Sequence, residues 1–266
     1  MTINDCLFMN DNSSVTKFTY SNTMVRAKSF MGGFFIAMGG LCSTIAGFGL
    51  TGGICRAISA LVFPIGLIFI ILTGAELFTG DILMFNIIKK KKTYLYFIIE
   101  FLIKVYVWNF LGSIMASLLF IGSGVYNLFD YGLAVSLIKT ASTKLSIPLF
   151  QLLPSAILCN FCVCLAVLFS KLQGSSTKKL PLIMLPIFTF VICGFEHIVA
   201  DMYYITGGLI LSLNENLVAL AGISTAAFSF INIIEFLLIV TIGNILGGVA
   251  LLLILYWMTA AQKDNS

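Results

Sequence analysis

Charge is scarce in this chain: Asp, Glu, Lys and Arg make up 10% of it, against 59% hydrophobic residues and a mean hydropathy of +1.06. Soluble domains carry roughly a quarter charged residues, so a soluble globular protein is excluded. Short segments of alternating hydrophobicity are missing too, which excludes an outer-membrane barrel. Histidine occurs once, as His197, and the seven cysteines are dispersed. No spacing of His and Cys is left for a metal centre, so a membrane-embedded metalloenzyme built on Glu76, Glu196 and His197 is a weak rival. Cys159-x-x-Cys162-x-Cys164 sits in a continuous apolar run and reads as small packing residues. Residues 1 to 29 have neither an apolar h-region nor a cleavage site, so no secretory signal peptide is expected. No cofactor, metal or nucleic-acid partner is implied.

What is present is a set of apolar runs long enough to cross a bilayer, which takes about 20 residues of helix. Two of them are too long and too polar in the middle to be simple spans. The first, from about Gly53 to Ile88, contains Thr73-Gly-Ala-Glu-Leu-Phe-Thr-Gly-Asp81. The second, from about Pro181 to Leu213, contains Val191-Ile-Cys-Gly-Phe-Glu-His-Ile-Val-Ala-Asp201. Ionisable groups directly after a glycine, inside an apolar segment, are the pattern of half-helices meeting near the midplane with their backbone exposed to a cavity. Polar groups held there are functional candidates by default.

The remaining spans are expected at about Ser29 to Leu50, Thr93 to Ile121, Pro148 to Ser170 and Phe230 to Met258. Six crossings in two halves, about 29–121 and 148–258, each with a broken middle helix, invert the second half relative to the first. Residues 1–28 form an N-terminal arm, either mobile or folded over a pore mouth, and 261–266 a short tail. Lys17, Arg26, Lys28, Lys89 to Lys92, Lys171, Lys178, Lys179 and Lys263 fall on one side, against Arg56, Lys139 and Lys144 opposite. The positive-inside rule then puts both termini in the cytoplasm of a cell (plasma or inner) membrane. Glu100 and Lys104 are spaced to pair on one helical face. Asn160 in mid-span is either a helix-to-helix clasp or a pore-facing donor.

At Gly74-Ala-Glu-Leu-Phe-Thr-Gly80, Gly194-Phe-Glu-His197 and Thr241-Ile-Gly-Asn-Ile-Leu-Gly-Gly248 the sequence resembles the formate/nitrite transporter family, which includes formate, nitrite and hydrosulfide channels and lactate transporters. The resemblance covers nearly the whole chain. It implies an all-α, aquaporin-like protomer of six helices, with helices 2 and 5 broken, assembled as a homopentamer with a pore in each protomer. Carried over by position, His197 is similar to the family's central pore histidine and Thr79 to its hydrogen-bonding neighbour. Leu77 and Phe78 resemble loop residues beside the cytoplasmic constriction. Leu67, Phe63 and Phe190 match apolar constriction positions, and Lys144, Asn160 and Asn244 polar positions around the pore or its outer mouth. Asp201, Asp81 and the run Phe236-Leu-Leu-Ile239 depart from the family pattern.

The expected function is a channel for small monovalent weak-acid anions or their conjugate acids. The alternatives are an aquaporin-like pore for neutral solutes and a proton-coupled lactate-type transporter. Moving a bare carboxylate into an apolar constriction costs of order 20 kcal/mol in the idealised limit. Neutralising an acid whose pKa lies about three units below ambient pH costs about 4 kcal/mol. The neutral form is therefore expected to cross. Lys144 would gather anions outside. His197 would either donate a proton or stay neutral and hydrogen-bond Thr79. Glu196 is expected to anchor the break rather than meet the substrate.

Overall fold

The computed structural model describes residues 3–172 and 176–263, with the side chains of residues 3, 4, 8, 176–178 and 259–263 left out. The side chains of Lys178 and Lys263, and tail residues 264–266, thus lie outside what is described. In chain order the helices are α1 (Ile3–Lys17), α2 (Asn22–Gly47), α3 (Gly52–Val62), α4 (Ile65–Thr73), α5 (Phe78–Asp81), α6 (Tyr94–Gly122), α7 (Gly132–Leu145), α8 (Leu149–Ser170), α9 (Ser176–Cys193), α10 (Ile198–Leu211), α11 (Glu215–Ala221) and α12 (Phe230–Lys263). Among the described residues there is no strand. Five helical segments are long and apolar enough to span a membrane; the bent pair α9 and α10, at 50° to each other, makes a sixth span.

Each break begins with the same local device. Gly74 and Gly194 adopt left-handed backbone (φ +68° and +72°), which a residue without Cβ enters at no steric cost. The chain reversal lets Ala75 N–H reach Ile70 O (3.1 Å) and Phe195 N–H reach Phe190 O (3.0 Å), closing off the last turn of the helix before it. The chain is then extended at Leu77 and at His197 before it turns helical again.

The two halves match residue for residue around this device. Lys17 corresponds to Lys144, Glu76 to Glu196, Asp81 to Asp201, Asn109 to Asn244 and Gly112 to Gly247. The order is the same in both, helix, span, broken span, span, so α1 belongs to the first repeat as α7 belongs to the second. In each half the first and third spans pack in close contact. A Cβ on Gly112 would lie 2.0 Å from Phe30 O, and one on Gly247 2.1 Å from Ile157 O. Backbones approach this closely only where no side chain intervenes, which is how helices associate in lipid.

Two expectations change, and the N-terminal arm takes the second of its two alternatives. The first span begins at Asn22 instead of about Ser29, because Ser21 accepts a hydrogen bond from Met24 N–H and caps it there. The arm is a helix laid against the protein, with Cys6 and Leu7 buried among Leu83, Leu168 and Leu251. After the first break the chain forms only one α-helical turn, followed by a 3₁₀ segment, Ile82–Lys89, whereas α10 runs for 14 residues.

Gly247→Val forces Cβ into the backbone of α8. We expect a loss of about 1–3 kcal/mol, read as a lowered unfolding midpoint in detergent; an unchanged midpoint would contradict the close contact.

Candidate functional site

A break inside an apolar segment leaves N–H and C=O groups that lipid cannot satisfy. Two buried asparagines meet them. Asn109 Oδ1 accepts from Phe78 N–H (2.9 Å), while its Nδ2 donates to Glu76 O (3.0 Å) and Ser29 O (2.6 Å). Asn244 repeats the pattern: Oδ1 accepts from Ile198 N–H (2.9 Å), and Nδ2 donates to Glu196 O (3.0 Å) and Ala156 O (2.8 Å). Each amide thus spans its break and ties it to the neighbouring span.

These clasps bring the two breaks together. Thr79 Oγ1 and His197 Nε2 stand 2.9 Å apart, both buried. The other ring nitrogen, Nδ1, accepts from Ala200 N–H at 3.1 Å, so His197 is the N-cap of α10. An acceptor at Nδ1 places the imidazole proton on Nε2. Nε2–H then donates to Thr79, and the threonine hydroxyl proton is left to point elsewhere.

Two cavities flank this junction. The inner one, about 200 Å³, is lined by Leu67, Leu77, Glu76 and Asp81, with α1 as a wall through Asn10, Ser14 and Lys17. The outer one, about 420 Å³, is lined by Phe63, Phe190, His197, Lys144, Asp201 and Tyr204. Phe63 and Phe190 meet edge to face at 5.7 Å, and Phe190 stacks on the imidazole at 5.7 Å. Phe63 and Leu67 are 4% and 2% exposed, so the passage is closed between the cavities.

Each cavity contains an ammonium shared by two carboxylates. Lys144 Nζ is 2.6 Å from Glu196 Oε2 and 2.9 Å from Asp201 Oδ1. Lys17 Nζ likewise reaches Glu76 and Asp81, and Lys28 Nζ stands 3.9 Å from Glu76 Oε1. Burial by itself would pull the Lys17 and Lys144 pKa values down; the paired carboxylates outweigh it and hold both ammonium groups above the ordinary lysine value.

Of the residues singled out from sequence, His197, Thr79, Leu67, Leu77, Phe63 and Phe190 gather at the junction or on the cavity walls. Phe78 does not line either cavity: its ring packs on Tyr106 at 5.0 Å and its backbone is held by Asn109. Asn244 is a clasp rather than a pore-mouth group. Asn160 takes the clasp alternative as well, donating from Nδ2 to Asn244 O at 2.6 Å. Lys144 is not a free cation in an open loop, because Glu196 and Asp201 occupy its charge. Glu196 pairs with Lys144, and Glu100 with Lys104 at 2.6 Å. Asn109 and Lys17 were missed. The repeat Asn109-x-x-Gly112 and Asn244-x-x-Gly247 was the available signal for the first.

Spans broken back to back, cavities on both sides and an apolar barrier between them define a multi-pass membrane channel or transporter. The formate/nitrite transporter family model matches residues 9–258, and the chain belongs to that family; it is accordingly not an enzyme. It is 31% identical over 254 residues to a probable formate transporter of Methanothermobacter thermautotrophicus, covering 88% of both chains. To the formate channel FocA of Escherichia coli (strain K12) it is 29% identical over 221 residues, covering 80% of this chain and 77% of that one. Its fold superposes on a pentameric formate channel with formate bound at a TM-score of 0.81 and 25% identity, covering 90% of this chain and 98% of the other.

Replacing Asn244 by Leu strands Ile198 N–H and Glu196 C=O. Each orphaned group costs about 1–3 kcal/mol, so N244L is expected to lower the unfolding midpoint further than a lipid-facing substitution such as Leu246→Ala. Equal shifts would contradict the clasp.

Proposed function

We propose that this chain conducts small monovalent weak acids of the formate type, with the acid neutral as it passes Phe63, Phe190 and Leu67. The observation that carries this reading is the placement of one neutral hydrogen-bonding pair, Thr79 and His197, inside an otherwise apolar barrier between two cavities. A bare carboxylate has no counter-charge there. The conjugate acid, by contrast, loses only hydration, and the threonine hydroxyl offers it one hydrogen bond. His197 serves as a neutral donor to Thr79, not as an imidazolium, because a second proton at Nδ1 would face Ala200 N–H.

Formate is placed first because relatives named for formate span most of the chain. Assembly as a homopentamer is supported by the likeness to the solved pentameric formate channel, and a conduit in each protomer by the two cavities within this single chain. The Lys89 to Lys92 run and the other basic residues on the α1 side support a cytoplasmic location for both termini, with the Lys144 cavity outside.

Liposome flux of formate, nitrite, hydrosulfide and lactate at several pH values, with glycerol as the neutral comparison, tests the substrate class. Acid flux without glycerol flux is the expected result; the reverse would make the chain a neutral-solute pore. In the same assay His197→Asn keeps assembly, since asparagine also caps a helix. The variant loses the hydrogen bond to Thr79, worth about 0.5–1.5 kcal/mol, so flux should change about 2- to 10-fold. Wild-type flux across the pH range would remove the histidine from the account.

A further inference from the structure

The two carboxylate clusters are built alike but not charged alike. In the inner cavity Glu76 and Asp81 are opposed by Lys17 and, at 3.9 Å, by Lys28. Opposite it, Asp201 on the outer cavity and Glu196 on its wider mouth share, among the described residues, Lys144 alone. Arg56 is turned to Ile192 O at 3.4 Å. Lys139 lines the wider mouth, and among the described residues it pairs with neither carboxylate. The other titratable groups around Asp201 are Tyr204 on its own helix, Cys159 from α8 and His197 at the same cavity. None of these is a cation in this geometry. The outer cluster is therefore one positive charge short.

Glu196 and Asp201 are 3% and 0% exposed, and their oxygens on one Nζ lie within a few ångströms of each other. Among the described residues Asp201 Oδ2 is buried with no hydrogen-bond partner and its residue lines the outer cavity; Asp81 Oδ2 is likewise unpartnered, but its cluster has a second lysine in Lys28. A carboxylate oxygen in that position lacks a donor, and a proton supplies one.

We propose that Glu196 and Asp201 hold one proton between them and pass it to an anion arriving in the outer cavity. This rests on reading the chain as a weak-acid channel. In the step, the carboxyl O–H bond breaks as an O–H bond forms on the arriving carboxylate. The neutral acid moves on between Phe63 and Phe190. The carboxylate left behind, held by Lys144, regains a proton from water in the cavity. No electrons are transferred.

The test uses the full chain in liposomes, with formate as probe and flux measured from about pH 5 to about pH 8. A passage fed only by neutral acid from bulk loses about tenfold in flux per pH unit above the acid's pKa. Asp201→Asn is expected to show that slope, and the wild type a shallower one. Equal slopes overturn the proton site and leave the channel reading standing; a wild type that passes formate at no pH overturns both. Infrared spectra in lipid at neutral pH give a readout independent of flux. The carbonyl absorption of a protonated carboxylic acid is expected in the wild type and in D81N, and absent in D201N and in E196Q. A wild type without that absorption overturns the proposal even where a variant fails to assemble.

Discussion

A peptide group inside a membrane must find its hydrogen bond within the protein, and a broken span leaves several without one. Everything at the centre of this molecule answers that constraint. Gly74 and Gly194 turn the chain, Asn109 and Asn244 take up the stranded groups on the far side, and the histidine ring itself caps the helix that follows. The candidate pore histidine is thus also a structural one. Its Nδ1 is committed to Ala200, and only Nε2 faces the conduit, which fixes both the tautomer and the direction of its one donated bond.

Charge is handled by a second layer of the same plan. Each break carries a Glu and an Asp, and each is met by a lysine from a helix lying beside the spans, Lys17 on α1 and Lys144 on α7. Removing one partner of such a buried group leaves a charge with nothing opposing it, which costs more than the pair contributes. The lysines therefore tie the peripheral helices to the junction. Because Lys28 joins only the inner group, the two mouths of one pseudo-symmetric conduit differ electrostatically.

Much of this was legible in the sequence, for a physical reason. A glycine followed by Glu and His in an apolar run has no stable place in lipid, so the breaks and the inverted halves could be read from residue types, while the pairing of His197 with Thr79 came only from the family resemblance. Partners from distant segments could not. Asn109 looks like an incidental polar residue in a 29-residue apolar helix until the backbone it clasps is known. Lys144 reads as a vestibule cation because its two carboxylates lie on another element. Phe78 reads as a pore residue because its neighbours are, yet the extended backbone there turns its ring to Tyr106. The mixed polar sequence of α1 shows no apolar stripe, and its helix is held by Lys17 and by Asp11, which accepts from Asn86 and pairs with Lys90.

A chain with one histidine offers a direct measurement. Nitrogen-15 NMR of histidine-labelled protein in lipid reports both ring nitrogens of His197 without overlap. The account predicts a neutral ring at neutral pH, protonated at Nε2 and bare at Nδ1. A ring protonated at Nδ1, or at both nitrogens, would contradict the cap on Ala200 and the bond to Thr79 together.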